Sequence, residues 1–357
     1  MHMILQKEDK TNNFISLFNP TTGFYLRTGI IREGQDTGED PFMCSFPELI
    51  DVGIMGHCKH GKSGLCAEAG IECYQEGKSK HEDNMSLRNF RKIVDECKGK
   101  TFQIALGGRG DPDQHEHFEE ILAYCKSNGI VPNLTTSGLG LNEKSASLCN
   151  QYCGAVAVSW YRSDYTLKAI QLLIDHKVKT NIHYVLARNS IDEAIALLKN
   201  RAFPSNINAV IFLLHKPVGA GTEEQMLTVD DERLPEFFSL AEKSYDFKIG
   251  FDSCTVPALL QFCQNIDRDS IDSCEGARWS MYIHSDMVAM PCSFDNARRR
   301  WAVDLKSNTI QNAWYSKEFK NFRDYFRNSC PECTVKNYCY GGCPVCKEIV
   351  LCKSKGL

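Results

Sequence analysis

No run of apolar residues in this chain reaches the roughly 18 to 20 that cross a bilayer. The opening stretch, Met1 to Lys10, carries charges where a secretory signal would need its apolar core. A soluble, cytoplasmic protein without a membrane partner is therefore expected. A surplus of one charge sign is also missing, since 41 Lys and Arg stand against 45 Asp and Glu. The formal net charge of -4 argues against a general binder of polyanions, so nucleic acid is not an expected partner. The short basic run Arg298, Arg299 and Arg300 reads as a solvated face, with an acidic peptide as the alternative. Repeats and low-complexity linkers are absent too, so the parts of the chain should pack closely.

Cysteine is what the chain has in excess, 18 of 357 residues. Cys330, Cys333, Cys339 and Cys343 form C-x2-C-x5-C-x3-C, with Cys346 and Cys352 close behind. Thiolates at such short intervals wrap a cluster or a soft metal ion. Pairwise disulfides suit a chain of this length without a secretory signal poorly. Zinc remains an alternative, although zinc ribbons set their knuckles about a dozen residues apart or more. Cys97, Cys125, Cys149 and Cys153 fall in or beside amphipathic segments and read as packing thiols without a role.

Between residues 49 and 252 short apolar runs alternate with segments of helical period. Strands are expected at 49–55, 101–106, 131–135, 155–158, 180–185 and 208–214, and helices at 86–96, 114–128, 143–151, 165–175, 191–199 and 231–244. Such a βα alternation makes a parallel sheet with helices outside, doubly wound or curled toward a barrel. A further edge strand is expected at 247–252, and an N-terminal hairpin around Phe18 to Phe24. Beyond Cys254 the alternation stops and a loop-rich, cysteine-dense region follows. In parallel βα folds the chemistry sits at the carboxyl ends of the strands. Those ends here are polar or glycine-rich: Gly56, His57 and Cys58; Gly107 to Asp111; Thr135 to Gly138; Ser159 and Trp160; Arg188 and Asn189; His215 to Gly219.

After the first strand come Cys58, Cys66 and Cys73, spaced C-x7-C-x6-C, with Tyr74 following. Three thiolates on one loop can hold three irons of a [4Fe-4S] cluster and leave the fourth open to a small molecule. A zinc site of Cys58, His60, Cys66 and Cys73 is the alternative. The loop resembles that of the radical S-adenosylmethionine superfamily, which carries three cysteines after the first strand of a partial (β/α)6 barrel, usually as C-x3-C-x2-C, with an aromatic residue after the third. Both gaps are four residues longer here. Gly107-Gly108-Arg109-Gly110-Asp111-Pro112 resembles the superfamily's GGEP motif, with Arg109 at the glutamate position and Gly110 and Asp111 added. Ser137 and Ser159 resemble its third- and fourth-strand contacts to the cofactor.

The tail is similar to the SPASM extension, which carries auxiliary clusters in peptide- and protein-modifying members; Met287 stands where that pattern has a glycine. An α/β protein with three parts is expected: an N-terminal hairpin-like extension at 1–47, which lies outside the resemblance, and, as the resemblance implies, a partial (β/α)6 TIM-like barrel at 48–252 and a loop-rich cluster domain at 253–357. The resemblance also implies a [4Fe-4S] cluster on Cys58, Cys66 and Cys73, with S-adenosylmethionine touching Tyr74, Gly107, Gly108, Ser137, Ser159 and Arg188. A first auxiliary cluster would use Cys274, Cys292 and Cys343, its fourth position open or filled by Cys254 or Cys263. A second would use Cys330, Cys333, Cys339 and Cys352, the last preferred over Cys346.

The implied reaction is cleavage of S-adenosylmethionine to a 5'-deoxyadenosyl radical that takes hydrogen from a peptide or protein. A flavodoxin or ferredoxin would supply electrons, and Asp295 is the candidate base. Maturation of a ribosomally made peptide by a thioether or carbon-carbon crosslink comes first. The alternatives are a sulfatase-maturing, formylglycine-forming enzyme and a non-catalytic zinc or iron-sulfur scaffold. The extension before the barrel is short for a separate peptide-recognition domain, so leader recognition would fall to the barrel, the hairpin or another protein.

Overall fold

The structure, a computed structural model, describes residues 4–353. It begins with an antiparallel sheet of β1 (Leu5–Asp9), β2 (Phe14–Phe18) and β3 (Tyr25–Arg27), followed by a small hairpin of β4 (Ile31–Arg32) and β5 (Gln35–Asp36). Along β2 the side chains alternate, and Phe14 and Phe18 are buried. The expected hairpin is the β2–β3 connection, where Asn19 Oδ1 accepts from the N–H groups of Thr21 and Thr22 and Gly23 takes a φ of 75°.

Seven parallel strands follow: β6 (Leu49–Met55), β7 (Gln103–Gly108), β8 (Val131–Thr136), β9 (Val156–Ser159), β10 (Thr180–Leu186), β11 (Ala209–Leu214) and β12 (Lys248–Phe251). After β6 come the short helices α1 (Lys59–Ser63) and α2 (Leu65–Glu68), then α3 (Leu87–Cys97). The outer helices continue with α4 (Phe118–Ser127), α5 (Glu143–Tyr152), α6 (Asp164–Asp175), α7 (Ile191–Lys199) and α8 (Leu234–Ala241). Ser86, Asn142 and Ser163 cap α3, α5 and α6 with side-chain oxygens, which fixes where those helices start.

Most expected bounds shift by one to four residues, the helix expected at 231–244 shortening to Leu234–Ala241, and two of the shifts lie at the motif strand and the helix after it. Strand β7 starts at Gln103; just before it the Thr101 hydroxyl donates to Pro47 O and the Phe102 N–H to Glu48 O. Gly107 and Gly108 are the strand's own carboxyl end. Helix α4 starts at Phe118 because Pro112–Gln114 forms a separate 3-10 turn.

The loop-rich, cysteine-rich segment also carries short strands. β13 (Ser280–Ile283) pairs in parallel with β6, and β14 (Val288–Met290) and β15 (Val303–Asp304) continue antiparallel. The ten strands run β12-β11-β10-β9-β8-β7-β6-β13-β14-β15, a curled sheet whose ends do not meet. Strands of two to four residues among cysteines leave too short a period to read. In the β13–β14 turn Met287 adopts φ 68°, the left-handed conformation that favours glycine, while its side chain is buried. The remaining helices are α9 (Val256–Phe262), α10 (Ile310–Trp314), α11 (Lys317–Asn328) and α12 (Lys336–Cys339). The indole N–H of Trp314 donates to Cys44 O at 2.9 Å, and the Cys44 N–H to Arg278 O at 3.0 Å, tying this segment to the chain before β6. Among the described residues no helix is long and apolar enough to cross a membrane.

Candidate active site

The cysteine loop leaves β6 at Gly56. The extra residues of its two gaps are taken up by α1 and α2, joined at Gly64, which turns with φ 83°. Cys58 caps α1 through its sulfur, which accepts from the Gly61 N–H at 3.0 Å; Cys73 Sγ accepts from the Gly77 N–H at 3.5 Å. Gly77 is a wall without a side chain, since a Cβ there would stand 3.4 Å from Cys58 Sγ and 3.7 Å from Cys73 Sγ. Burial pushes the Cys58 thiol up to about 11, against the pull of the Gly61 N–H, and raises Cys66 as well. Amide donors aimed at sulfur, with a bare backbone wall between two sulfurs, suit thiolates gathered on a cluster. Among the described residues no three His, Cys, Asp or Glu side chains converge as a single metal ion requires.

Arg109, at the motif's glutamate position, turns away from the strand end into the cysteine loop. Its Nε donates to Gln75 O and its guanidinium to Gly56 O, each at 3.1 Å, and it pairs with Glu82 at 3.1 Å. The added Gly110 lets the backbone pass His57, whose carbonyl oxygen would lie 2.2 Å from a Cβ there. Asp111 then re-enters with a carboxylate that accepts from the Ser137 N–H at 2.6 Å and hydroxyl at 2.7 Å. Burial raises its pKa against these bonds.

All three cysteines open into one cavity of about 390 Å³ at the carboxyl ends of the strands. Tyr74, Gly107, Gly108, Ser137 and Ser159 line it. Arg188 does not; it is exposed, and its carbonyl accepts from Arg233. Asp295 is also outside the lining. It is buried, and its carboxylate accepts from the N–H groups of Arg300 and Trp301 at 3.1 and 3.0 Å, holding its own loop.

Several lining residues had no motif to announce them. Asp51 sits on β6, where burial pushes its carboxyl up to about 7, and its register partner on β13 is Tyr282. The Tyr282 hydroxyl reaches over Gly53 and Gly108, where a Cβ would stand 2.4 and 2.9 Å from it. Neither that hydroxyl nor Gln75 Nε2 has a hydrogen-bond partner among the described residues, though both are buried against the cavity. His183, held neutral by burial with its pKa lowered to about 4, and Asp252 complete the deep wall. From the cysteine-rich segment, Phe294 packs its ring 4.5 Å from that of Tyr74.

The tail cysteines gather in two groups. Cys254, Cys274, Cys292 and Cys343 are within electrostatic reach of one another; burial pushes Cys274 up to about 12, with Cys254 adding to it. Cys346 flanks this group, donating its N–H to Cys343 Sγ at 3.3 Å. Cys330, Cys333, Cys339 and Cys352 line a separate small cavity with Leu260 and Val350. Cys263 lies away from both, facing Glu242.

No protein-family model matches the chain. Solved structures do. SuiB of Streptococcus suis bound to S-adenosylmethionine superposes with a TM-score of 0.65 at 14% identity, over 87% of this chain and 78% of that one. SuiB bound to its precursor peptide SuiA gives 0.68 at 13% identity, over 96% of each chain. The anSMEcpe protein with bound AdoMet and the Cp18Cys peptide gives 0.59 at 15% identity, over 85% and 90%. The curled sheet, its cavity and its cysteine-rich tail thus form a chain with the fold of SuiB and anSMEcpe.

Proposed function

We propose that this chain is a radical S-adenosylmethionine enzyme that modifies a peptide. The observation that carries the reading is the opening of Cys58, Cys66 and Cys73, with their N–H donors, into the same cavity as Gly107, Gly108, Ser137 and Ser159. A fold shared with proteins solved with S-adenosylmethionine and with peptides supports it. When bound, a reduced [4Fe-4S] cluster supplies the single electron that splits S-adenosylmethionine into methionine and a 5'-deoxyadenosyl radical.

The chain's own residues do the rest. Cys58, Cys66 and Cys73 would hold three irons, and the loop that carries them is kept in place by Arg109. Asp111, two positions beyond the motif's glutamate, offers a buried carboxylate to a ligand ammonium. Gly107 and Gly108 let the backbone approach the ligand closely, and Ser137 and Ser159 add hydroxyls. The apolar walls and Tyr74 exclude water from the reacting carbon. Cys254, Cys274, Cys292 and Cys343 would hold the first auxiliary cluster, and Cys330, Cys333, Cys339 and Cys352 the second. A flavodoxin- or ferredoxin-type donor would deliver the electron, and a ribosomally made peptide receiving a thioether or carbon-carbon crosslink is the leading substrate.

The test is 5'-deoxyadenosine formation by anaerobically reconstituted protein with S-adenosylmethionine and dithionite. Product is expected from the native chain and none above background from the C58A, C66A, C73A triple variant. Equal product from both would remove the reading. A peptide product carrying an aldehyde instead of a crosslink would favour the formylglycine-forming alternative.

A further inference from the structure

One buried cation stands between the cavity and the first auxiliary cysteine group. The side chain of Lys216, just beyond β11, is 1% exposed, and its Nζ donates to Asp252 Oδ2 at 2.6 Å and to Leu214 O at 2.7 Å. The same ammonium lies 4.4 Å from the centre of the Phe294 ring. Asp252 comes two residues before Cys254, and Phe294 two residues after Cys292. The ammonium is therefore gripped by the flanks of two of the four cysteines.

The pair has a direction. Asp252 lines the cavity, where its other oxygen accepts from the Thr255 hydroxyl at 2.7 Å, whereas Lys216 is not part of that lining. The field of Lys216 instead reaches Cys254, Cys343 and Cys346. Burial alone would drive the proton off this lysine, but the Asp252 carboxylate, with Cys254 and Cys343, holds it well above the ordinary lysine range. A buried ion pair of this kind contributes little to stability that an apolar pair of similar size would not.

We propose that Lys216 sets the reduction potential of the first auxiliary cluster. This rests on reading Cys254, Cys274, Cys292 and Cys343 as ligands of that cluster. One added electron raises the cluster's negative charge by one, and a fixed positive charge in a water-poor interior stabilises that form. The Asp252 carboxylate opposes it from the cavity side. The cluster is thus tuned to receive the electron that a substrate radical gives up when, with loss of a proton, its new bond closes.

The experiment uses the full chain, anaerobically reconstituted with the C58A, C66A, C73A substitutions so that only auxiliary clusters remain, and follows a reductive titration by electron paramagnetic resonance. Lys216→Met is expected to move one cluster at least tenfold toward the oxidised form, about 59 mV downward for one electron. Lys216→Arg should retain the native potential. The cluster on Cys330, Cys333, Cys339 and Cys352 should stay still in every variant. Unchanged potentials, an upward shift in the methionine variant or equal shifts of both clusters would overturn the proposal. If Lys216→Met does not fold, Lys216→Gln, which removes the charge but keeps a hydrogen-bond donor, is read in its place with the same expected direction. The complete lack of an iron-sulfur signal before any of these substitutions would instead overturn the cluster reading beneath it.

Discussion

A carboxyl group in the middle of an apolar strand pays for its desolvation, and Asp51 does so by keeping its proton to about pH 7. The unfolded chain gives that proton up near 4. The folded state therefore binds it more tightly, and stability contributed by the neutral form is lost as pH rises from about 4 to about 7. Asp51→Asn removes this loss. Its melting temperature relative to the native chain should be higher at pH 8 than at pH 4 by about 2 °C or more, measured by circular dichroism. Gly77 gives a second test. An alanine there would place a methyl 2.9 Å from Cys58 Cβ and against both sulfurs, so the reconstituted variant should carry about four fewer irons while the tail keeps its own. Cys58, Cys66 and Cys73 were legible because three thiols on one loop form a short-range pattern. Asp51 left a signal as well, the single charge in Leu49–Met55. Tyr282 and Gln75 left none, because a residue's distance from a cavity built by remote segments is not written in its neighbours. Arg188 and Asp295 show the converse: position just after a strand or a cysteine places a residue near the site without fixing where its side chain turns.

The loop from Gly56 to Asn84 carries the three cysteines on which the proposed chemistry depends, and it makes little regular structure of its own. Arg109 holds two of its carbonyls, Gly56 and Gln75, and one of its carboxylates, Glu82. Arg109→Met would leave those carbonyls buried without a donor. The expected result is a first cluster that forms poorly and at least a tenfold fall in 5'-deoxyadenosine formation, with the iron of the tail unchanged. Arg109→Lys, which cannot reach both carbonyls in one plane, should recover only part of it. The six βα units were legible because strand and helix periods alternate cleanly, and α7 falls on its expected bounds. Turns chosen by remote partners were not, as β7 shows: the residues just before its start bond to Pro47 and Glu48, which contact alone supplies. The C-x7-C-x6-C spacing likewise concealed two short helices, each too brief for an amphipathic repeat.

At the scale of the whole molecule, the sheet joins what sequence reading divides. β13 lies beside β6, Tyr282 reaches into the cavity from it, and the chain around Cys44 is bonded to Arg278 and Trp314. A fragment of residues 1–252 would expose the outer edge of β6 and the faces beneath Trp279 and Trp314, both buried in the intact chain. Such a fragment is expected to be insoluble, or to melt without a cooperative transition, which expression and thermal scanning would show. The pairing of β13 with β6 also sets a timetable for synthesis on the ribosome. Residues 49–55 emerge early, yet their outer partner leaves the exit tunnel only after the rest of the barrel has been made. Through that interval the Cys58, Cys66 and Cys73 loop is flanked by an unfinished wall. Docking of Tyr282 and Phe294 then completes it, so a slow-translating stretch before Ser280 would lengthen the period in which that loop stands open.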